Sequence, residues 1–125
     1  MNKTNELKQD QNNFKLKQEL LHFSGTENYY KEFMEILVTD GVKYFQEKAE
    51  ANWVVSDIAV IVKLKLRNEG FISIDLIVKD GKATIQYTDG NDTKLYKQDY
   101  KYTDLEDIEL KFFFVDNVLM LSNEY

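Results

Sequence analysis

The stretch from Ile72 to Tyr87 constrains the fold more than any other part of the chain. Ile72, Ile74, Leu76 and Val78 fall on alternate positions, Asp80-Gly81 follows, and Ala83, Ile85 and Tyr87 resume the alternation. A period of two places each set on one side of a strand. Asp-Gly between two such runs signals a hairpin, because both turn positions tolerate φ > 0. The hairpin has one apolar face, and that face needs a cover from elsewhere in the chain.

Further strands extend it. Asp89-Gly90-Asn91-Asp92 ends the second strand, Leu95 to Tyr102 reads as the next, and Ile108 to Val115 turns at Asp116-Asn117 into a short strand from Val118 to Leu121. Upstream, Val60, Val62, Leu64 and Leu66 alternate with Lys63, Lys65 and Arg67, which also reads as a strand entering the Asn68-Glu69-Gly70 turn. The cover comes from the first half. Ala51, Val54, Val55, Ile58 and Ala59 follow the helical series and predict a helix that stops near Val60.

Before that, Asn5 to Phe23 has apolar residues only at Leu7, Phe14, Leu16, Leu20, Leu21 and Phe23, expected as a helix ending near Leu21 and docked by one narrow stripe. Ser24-Gly25 breaks it, and Thr26 is placed to cap a helical segment through Tyr29, Tyr30, Phe33, Met34 and Leu37. Thr39-Asp40-Gly41 reads either as a hairpin turn or as the start of a helix. The helix is preferred, with Thr39 as N-cap and Val42, Phe45 and Ala49 on its buried face. The expected class is α+β: N-terminal helices, then an antiparallel β-meander of about five or six strands, with the helices packed on one face. Residues 1–125 are expected to form one domain, with 1–22 as an N-terminal helical appendage.

Composition removes several chemistries. The 125 residues include no cysteine, which excludes disulfides, thiolate metal sites and cysteine nucleophiles and allows a reducing, cytoplasmic setting. Residues 1–20 do not read as a secretory signal, and Trp53 to Leu66 is too short and too charged to cross a bilayer. The net charge of −6 is uneven: residues 1–22 carry four lysines against three acids, and residues 23–125 carry twelve basic against nineteen acidic side chains. Such a body repels nucleic acid and suits a basic protein surface.

Candidate catalytic groups are few. His22 and Ser24 are too close along one helix end to converge as base and nucleophile, and no glycine-flanked serine elbow exists. Asp89-Gly90-Asn91-Asp92 has oxygen ligands, but a calcium loop counted from Asp89 would need a glutamate where Tyr100 stands. No metal, cofactor or catalytic residue is expected. Asp57, on the apolar helix beside Val54, Val55 and Ile58, needs a cation or donors; Lys43 or a tyrosine hydroxyl would serve. Trp53 reads as core.

Acids and tyrosines concentrate between Tyr87 and Glu109. Tyr87, Asp89, Asp92, Tyr96, Asp99, Tyr100, Asp104, Glu106, Asp107 and Glu109 together form the candidate protein-binding set, because carboxylates pair with Lys and Arg while tyrosine adds area with a polar tip. Tyr102 lies among them.

An ordered run of short motifs spans Phe23 to the last residue. It comprises Phe23-Ser24-Gly25-Thr26-Glu27-Asn28-Tyr29-Tyr30, Thr39-Asp40-Gly41-Val42-Lys43-Tyr44, Glu47-Lys48-Ala49, Trp53 and Asp57-Ile58-Ala59. Thr88-Asp89-Gly90-Asn91, Tyr102-Thr103-Asp104 and the ending Leu121-Ser122-Asn123-Glu124-Tyr125 complete it. In combination these resemble a domain-of-unknown-function family of small proteins carried by bacteria, plasmids and phages, with departures at Val38, where an aromatic is usual, and Ser122, where a proline is usual. The resemblance brings no catalytic or ligand residue with it.

The expected function is that of a non-enzymatic, acidic protein-binding module. Its most concrete form is a mobile-element inhibitor of a host nucleic-acid-targeting defence, anti-CRISPR-like, which covers a basic surface without touching nucleic acid or membrane. Two alternatives are a small enzyme or ligand-binding protein using converging carboxylates, and a self-associating regulatory module, a possible homo-oligomer.

Overall fold

The computed structural model describes residues 15–125, so Leu7 and Phe14 of the expected first helix lie outside the described residues. Helix α1 covers residues 15–21. It is followed by β1 (Tyr29–Lys31), a 3-10 turn (Phe33–Glu35), β2 (Leu37–Thr39), α2 (Asp40–Lys48) and α3 (Asn52–Leu64). Five strands complete the chain: β3 (Phe71–Lys79), β4 (Lys82–Thr88), β5 (Lys94–Tyr100), β6 (Ile108–Val115) and β7 (Val118–Leu121). The class is α+β, with one seven-stranded sheet in the order β1-β2-β7-β6-β3-β4-β5.

The central hairpins form as their sequences dictate. In the β3–β4 turn Asp80 and Gly81 both have positive φ, 53° and 77°, and in the β6–β7 turn Asp116 and Asn117 have 52° and 66°. Two left-handed residues give the turn whose twist matches the flanking strands. The register then aligns Ile74 with Tyr87 and Phe112, and Leu76 with Ile85 and Leu110, all on the covered face. Full burial of each such side chain contributes about 2 kcal/mol. Helix α2 lays Phe45 on Phe112, with ring centroids 5.8 Å apart, while Val54, Val55 and Ile58 of α3 and Leu20 of α1 join the same core.

Three expectations are overturned. Thr26 does not cap a helix over Tyr29–Leu37; that segment is the β1–β2 hairpin. Met34 and Glu35 have left-handed φ of 56° and 64°, which no helix accommodates, and Val38 pairs both with Tyr30 and, in parallel, with Leu119 of β7. Partners so distant in sequence outweigh the accidental helical spacing of Tyr30, Phe33, Met34 and Leu37.

The strand expected over Val60 to Leu66 is instead the last turns of α3. Leu64 faces outward, 62 % exposed, and Lys65 is the C-cap and stays exposed. One outward leucine costs a helix little. The sheet, finally, has seven strands rather than five or six, and it is not a plain meander. β7 returns between β6 and β2, and the β2–β7 pair is parallel. The helical start at Thr39 does form: its side chain accepts the Val42 N–H, as an N-cap should.

No helix among the described residues is long and apolar enough to cross a membrane.

Candidate functional site

The sequence motifs build two polar clusters of opposite character. The first surrounds the N-terminus of α2. The Glu124 carboxylate, nine-tenths buried, accepts the Thr39 hydroxyl at 2.6 Å, the Gly41 N–H at 3.0 Å and the Leu121 N–H at 2.9 Å. An anion here meets unpaired helix N–H groups and the positive end of the helix dipole. Gly41 is required by this approach: a Cβ would lie 2.7 Å from both the Glu124 Oε1 and the Leu121 side chain.

Asp40 ties in the preceding loop. Its carboxylate accepts the Glu27 N–H at 2.9 Å and the Tyr30 hydroxyl at 2.9 Å, and its own N–H donates to the Thr26 Oγ1 at 2.8 Å. The Glu27 N–H first, with the Tyr30 and Thr26 hydroxyls helping, holds the Asp40 carboxyl below the usual range, and that carboxylate in turn raises the Tyr30 phenol. These groups satisfy one another. The motifs from Thr26 to Tyr30, Thr39 to Gly41 and Leu121 to Glu124 are thus a structural knot.

The ten acids and tyrosines singled out from sequence do not form one surface. Tyr87 is fully buried, its phenol raised by that burial and its hydroxyl donated to the Gln98 Oε1 at 2.7 Å, so it cannot touch a partner. Asp89 and Asp92 sit at the β4–β5 turn, where the Asp89 Oδ1 accepts the Asn91 and Thr93 N–H groups at 2.8 and 3.2 Å; the Asn91 bond above all lowers its pKa. Asp99, with Glu109, lies on the uncovered face, where Thr84 and Lys97 engage it. Tyr96, 38 % exposed, stands edge-on to Tyr87.

Asp104, Glu106 and Asp107 are at the opposite end of the sheet from Asp89 and Asp92, a strand length of roughly 20 Å away. There the β5–β6 loop is pinned by backbone. The Thr103 N–H donates to the Gly81 carbonyl at 2.8 Å, the Leu105 N–H to the Thr103 Oγ1 at 3.1 Å, and the Asp80 N–H to Asp107 at 2.9 Å. Tyr102, 76 % exposed, donates its hydroxyl to Asp104 at 2.5 Å, a bond that raises the Tyr102 phenol.

Tyr100 closes the site from the sheet. It leans inward to α3, where its hydroxyl meets the Asp57 Oδ2 at 2.6 Å and its ring packs edge-on against Trp53, centroids 4.9 Å apart. Burial, then the hydrogen bond this hydroxyl donates to Asp57, keeps the phenol protonated well above its ordinary range. The donor for Asp57 is therefore a tyrosine hydroxyl, while Lys43 pairs with Glu32 at 3.0 Å. Trp53 is half-buried rather than core. With Tyr100, Tyr102, Glu50 and Asp104 it lines a cavity of about 360 Å³, which shares Ala49, Glu50 and Asp104 with a second of about 440 Å³ running toward α1 past Glu19 and Glu106.

Sequence reasoning missed that Glu50 and Trp53 line this cavity, because both are brought in by the α2–α3 corner and not by the acidic segment itself. Glu50 carried one signal only, its place just after a helical run. There it takes φ 51°, and the following Ala51 N–H bonds back to the Gln46 carbonyl, the pattern of a helix end that glycine usually serves. Among the described residues no group of three or more His, Asp or Glu is arranged to hold a metal ion.

No curated protein and no solved structure matches the chain. The model of one protein family matches residues 14–125, nearly the whole chain and both polar clusters, and the chain accordingly belongs to that family of unknown function, DUF6876.

Proposed function

We propose that the protein is a non-enzymatic binding module that presents the acidic end of its sheet to a basic protein surface. The observation that supports this is the pinned loop from Tyr102 to Asp107, which holds Asp104 and Glu106 in solvent on backbone hydrogen bonds. Charges fixed in this way need little ordering on association, and exposed carboxylates steer a cationic partner by long-range attraction. Of the ten residues expected from sequence, Asp104, Glu106, Asp107 and Tyr100 belong to this end, and Glu19, Glu50, Trp53 and Tyr102 join them.

The most concrete version is a mobile-element inhibitor of a host nucleic-acid-targeting defence, anti-CRISPR-like and acting in the cytoplasm. Its support is the acidity of the body, the small size and the motif resemblance. Such an inhibitor would occupy the Lys- and Arg-rich surface that a nucleic-acid-binding effector offers to phosphate, with no nucleic-acid contact of its own.

The test is co-purification of the tagged chain with host effectors over a salt series. Retention is expected to fall as salt rises, and to fall at least tenfold in Asp104→Lys/Glu106→Lys with the melting temperature preserved. Retention that is indifferent to both salt and charge reversal sinks the reading.

A further inference from the structure

We infer that the cavity bounded by Trp53, Tyr100 and Tyr102 is an aromatic box for a single organic cation, the ammonium or guanidinium end of a partner protein's Lys or Arg side chain. The inference rests on the acidic-surface reading above and names the side chain that would anchor it.

Three observations converge on it. The walls are aromatic: Trp53 and Tyr100, packed edge-on against each other, together form one side of the cavity, and the exposed Tyr102 lines it with them. The π faces of such rings attract a cation lying within about 6 Å of their centroids. Both tyrosine hydroxyls are donated to carboxylates, Tyr100 to Asp57 and Tyr102 to Asp104. Those bonds fix the direction of the hydroxyls and place a negative charge beside each ring. The charged residues of the lining are both acids, Glu50 and Asp104, beside the uncharged Ala49, Thr103 and Leu105, and no lysine or arginine among the described residues lines the space.

Other ligand classes fit less well. An inorganic divalent ion would need several oxygen ligands around one point, and no trio of acids or histidines is so arranged among the described residues. Anions are repelled by Glu50 and Asp104, and a neutral apolar ligand gains nothing from either charge. The site also has a route for a stem. Ala49, Glu50 and Asp104 also line the neighbouring cavity, where Lys15 and Lys48 stand with Glu19 and Glu106, so a peptide of mixed charge can lie in the groove and drop one cationic side chain into the box.

Trp53 is the single tryptophan of the chain, so its fluorescence reports on the box directly. The probes are tetramethylammonium, its uncharged isostere tert-butanol and short peptides carrying one Lys, one trimethyl-Lys or one Arg, all at constant ionic strength. A saturable change in Trp53 emission is expected with tetramethylammonium and with at least one peptide, and none with tert-butanol or sodium. Tyr102→Ala and Asp104→Asn are expected to weaken it at least tenfold while melting as the wild type does.

Equal responses to tert-butanol and tetramethylammonium, or no saturable response to any cation, overturn the box. Retention of a basic effector that survives Tyr102→Ala but is lost in Asp104→Lys/Glu106→Lys also overturns the box and leaves the acidic-surface reading intact. Saturable, Tyr102-dependent cation binding without any basic-surface partner supports the box and overturns the broader reading.

Discussion

The two polar clusters are built from the same materials, carboxylates, tyrosines and hydroxyls on short motifs, yet they end in opposite states. Around the N-terminus of α2 each acid points inward: Glu124 and Asp40 spend their oxygens on backbone N–H groups and on Thr39 and Tyr30. At the far end of β5, Asp104 and Glu106 point to solvent, and Trp53, Tyr100 and Tyr102 line a cavity. The first cluster lowers the energy of the fold; the second is supported by the fold and leaves its valences for something else. Buried carboxylates with several donors stabilise a structure strongly, whereas solvated ones contribute little, so substitutions should separate the clusters by effect.

The largest effect is expected at Gly41. Gly41→Ala forces a Cβ to within 2.7 Å of the Glu124 Oε1 and Leu121, and displaced Glu124 would leave the Gly41 and Leu121 N–H groups unpaired. A loss of about 3 kcal/mol is expected, large against a typical total of about 5–15 kcal/mol. Glu124→Gln, which retains shape but supplies one acceptor oxygen in place of two, should lose about half as much. Urea denaturation measures both. A Gly41→Ala protein within about 0.5 kcal/mol of wild type would remove the knot from the account.

How far each cluster could be read from sequence follows the same division. The β3–β4 and β6–β7 hairpins were legible because their turn residues, Asp80-Gly81 and Asp116-Asn117, encode their conformation locally, and Thr39 announced α2 by its own hydroxyl. β1 and β2 were not legible. Tyr29–Lys31 and Leu37–Thr39 are strands because β7 is there to pair with β2, a partner contributed from the end of the chain. Likewise the density of acids from Asp104 to Glu109 was visible, and a tyrosine hydroxyl for Asp57 could be anticipated. Which tyrosine it is, and that Trp53 and Glu50 stand beside it, depends on how α3 crosses the sheet, and no local pattern records that.

Glu50 supplies the next test, smaller and opposite in sign. Its left-handed backbone at φ 51° costs a side chain that glycine would spare. Glu50→Gly is therefore expected to stabilise the protein by about 1 kcal/mol and raise its melting temperature by a few degrees. At the same time it removes a carboxylate from the aromatic box and should weaken tetramethylammonium binding severalfold. A protein gaining stability and losing binding together is what a residue kept for recognition produces. If Glu50→Gly leaves both unchanged, neither the strain nor the role of Glu50 in the box stands.

The smallest effect on stability is expected at Tyr102, the residue on which the proposed box most depends. Tyr102 is 76 % exposed, and its one side-chain hydrogen bond is to Asp104, itself in solvent. Tyr102→Ala removes little buried area and leaves no buried group unpaired, so its stability should change by less than about 0.5 kcal/mol. The β5–β6 loop should hold its shape, because Thr103, Leu105 and Asp107 pin it through other atoms. Tyr102→Phe sharpens the point: it keeps the ring and discards the hydroxyl, so most of the cation response should remain if the π face binds. If Phe behaves like Ala, the hydroxyl and its Asp104 partner carry recognition and the ring is incidental. A marked loss of stability in either variant would instead place Tyr102 with the knot, among residues that hold the fold.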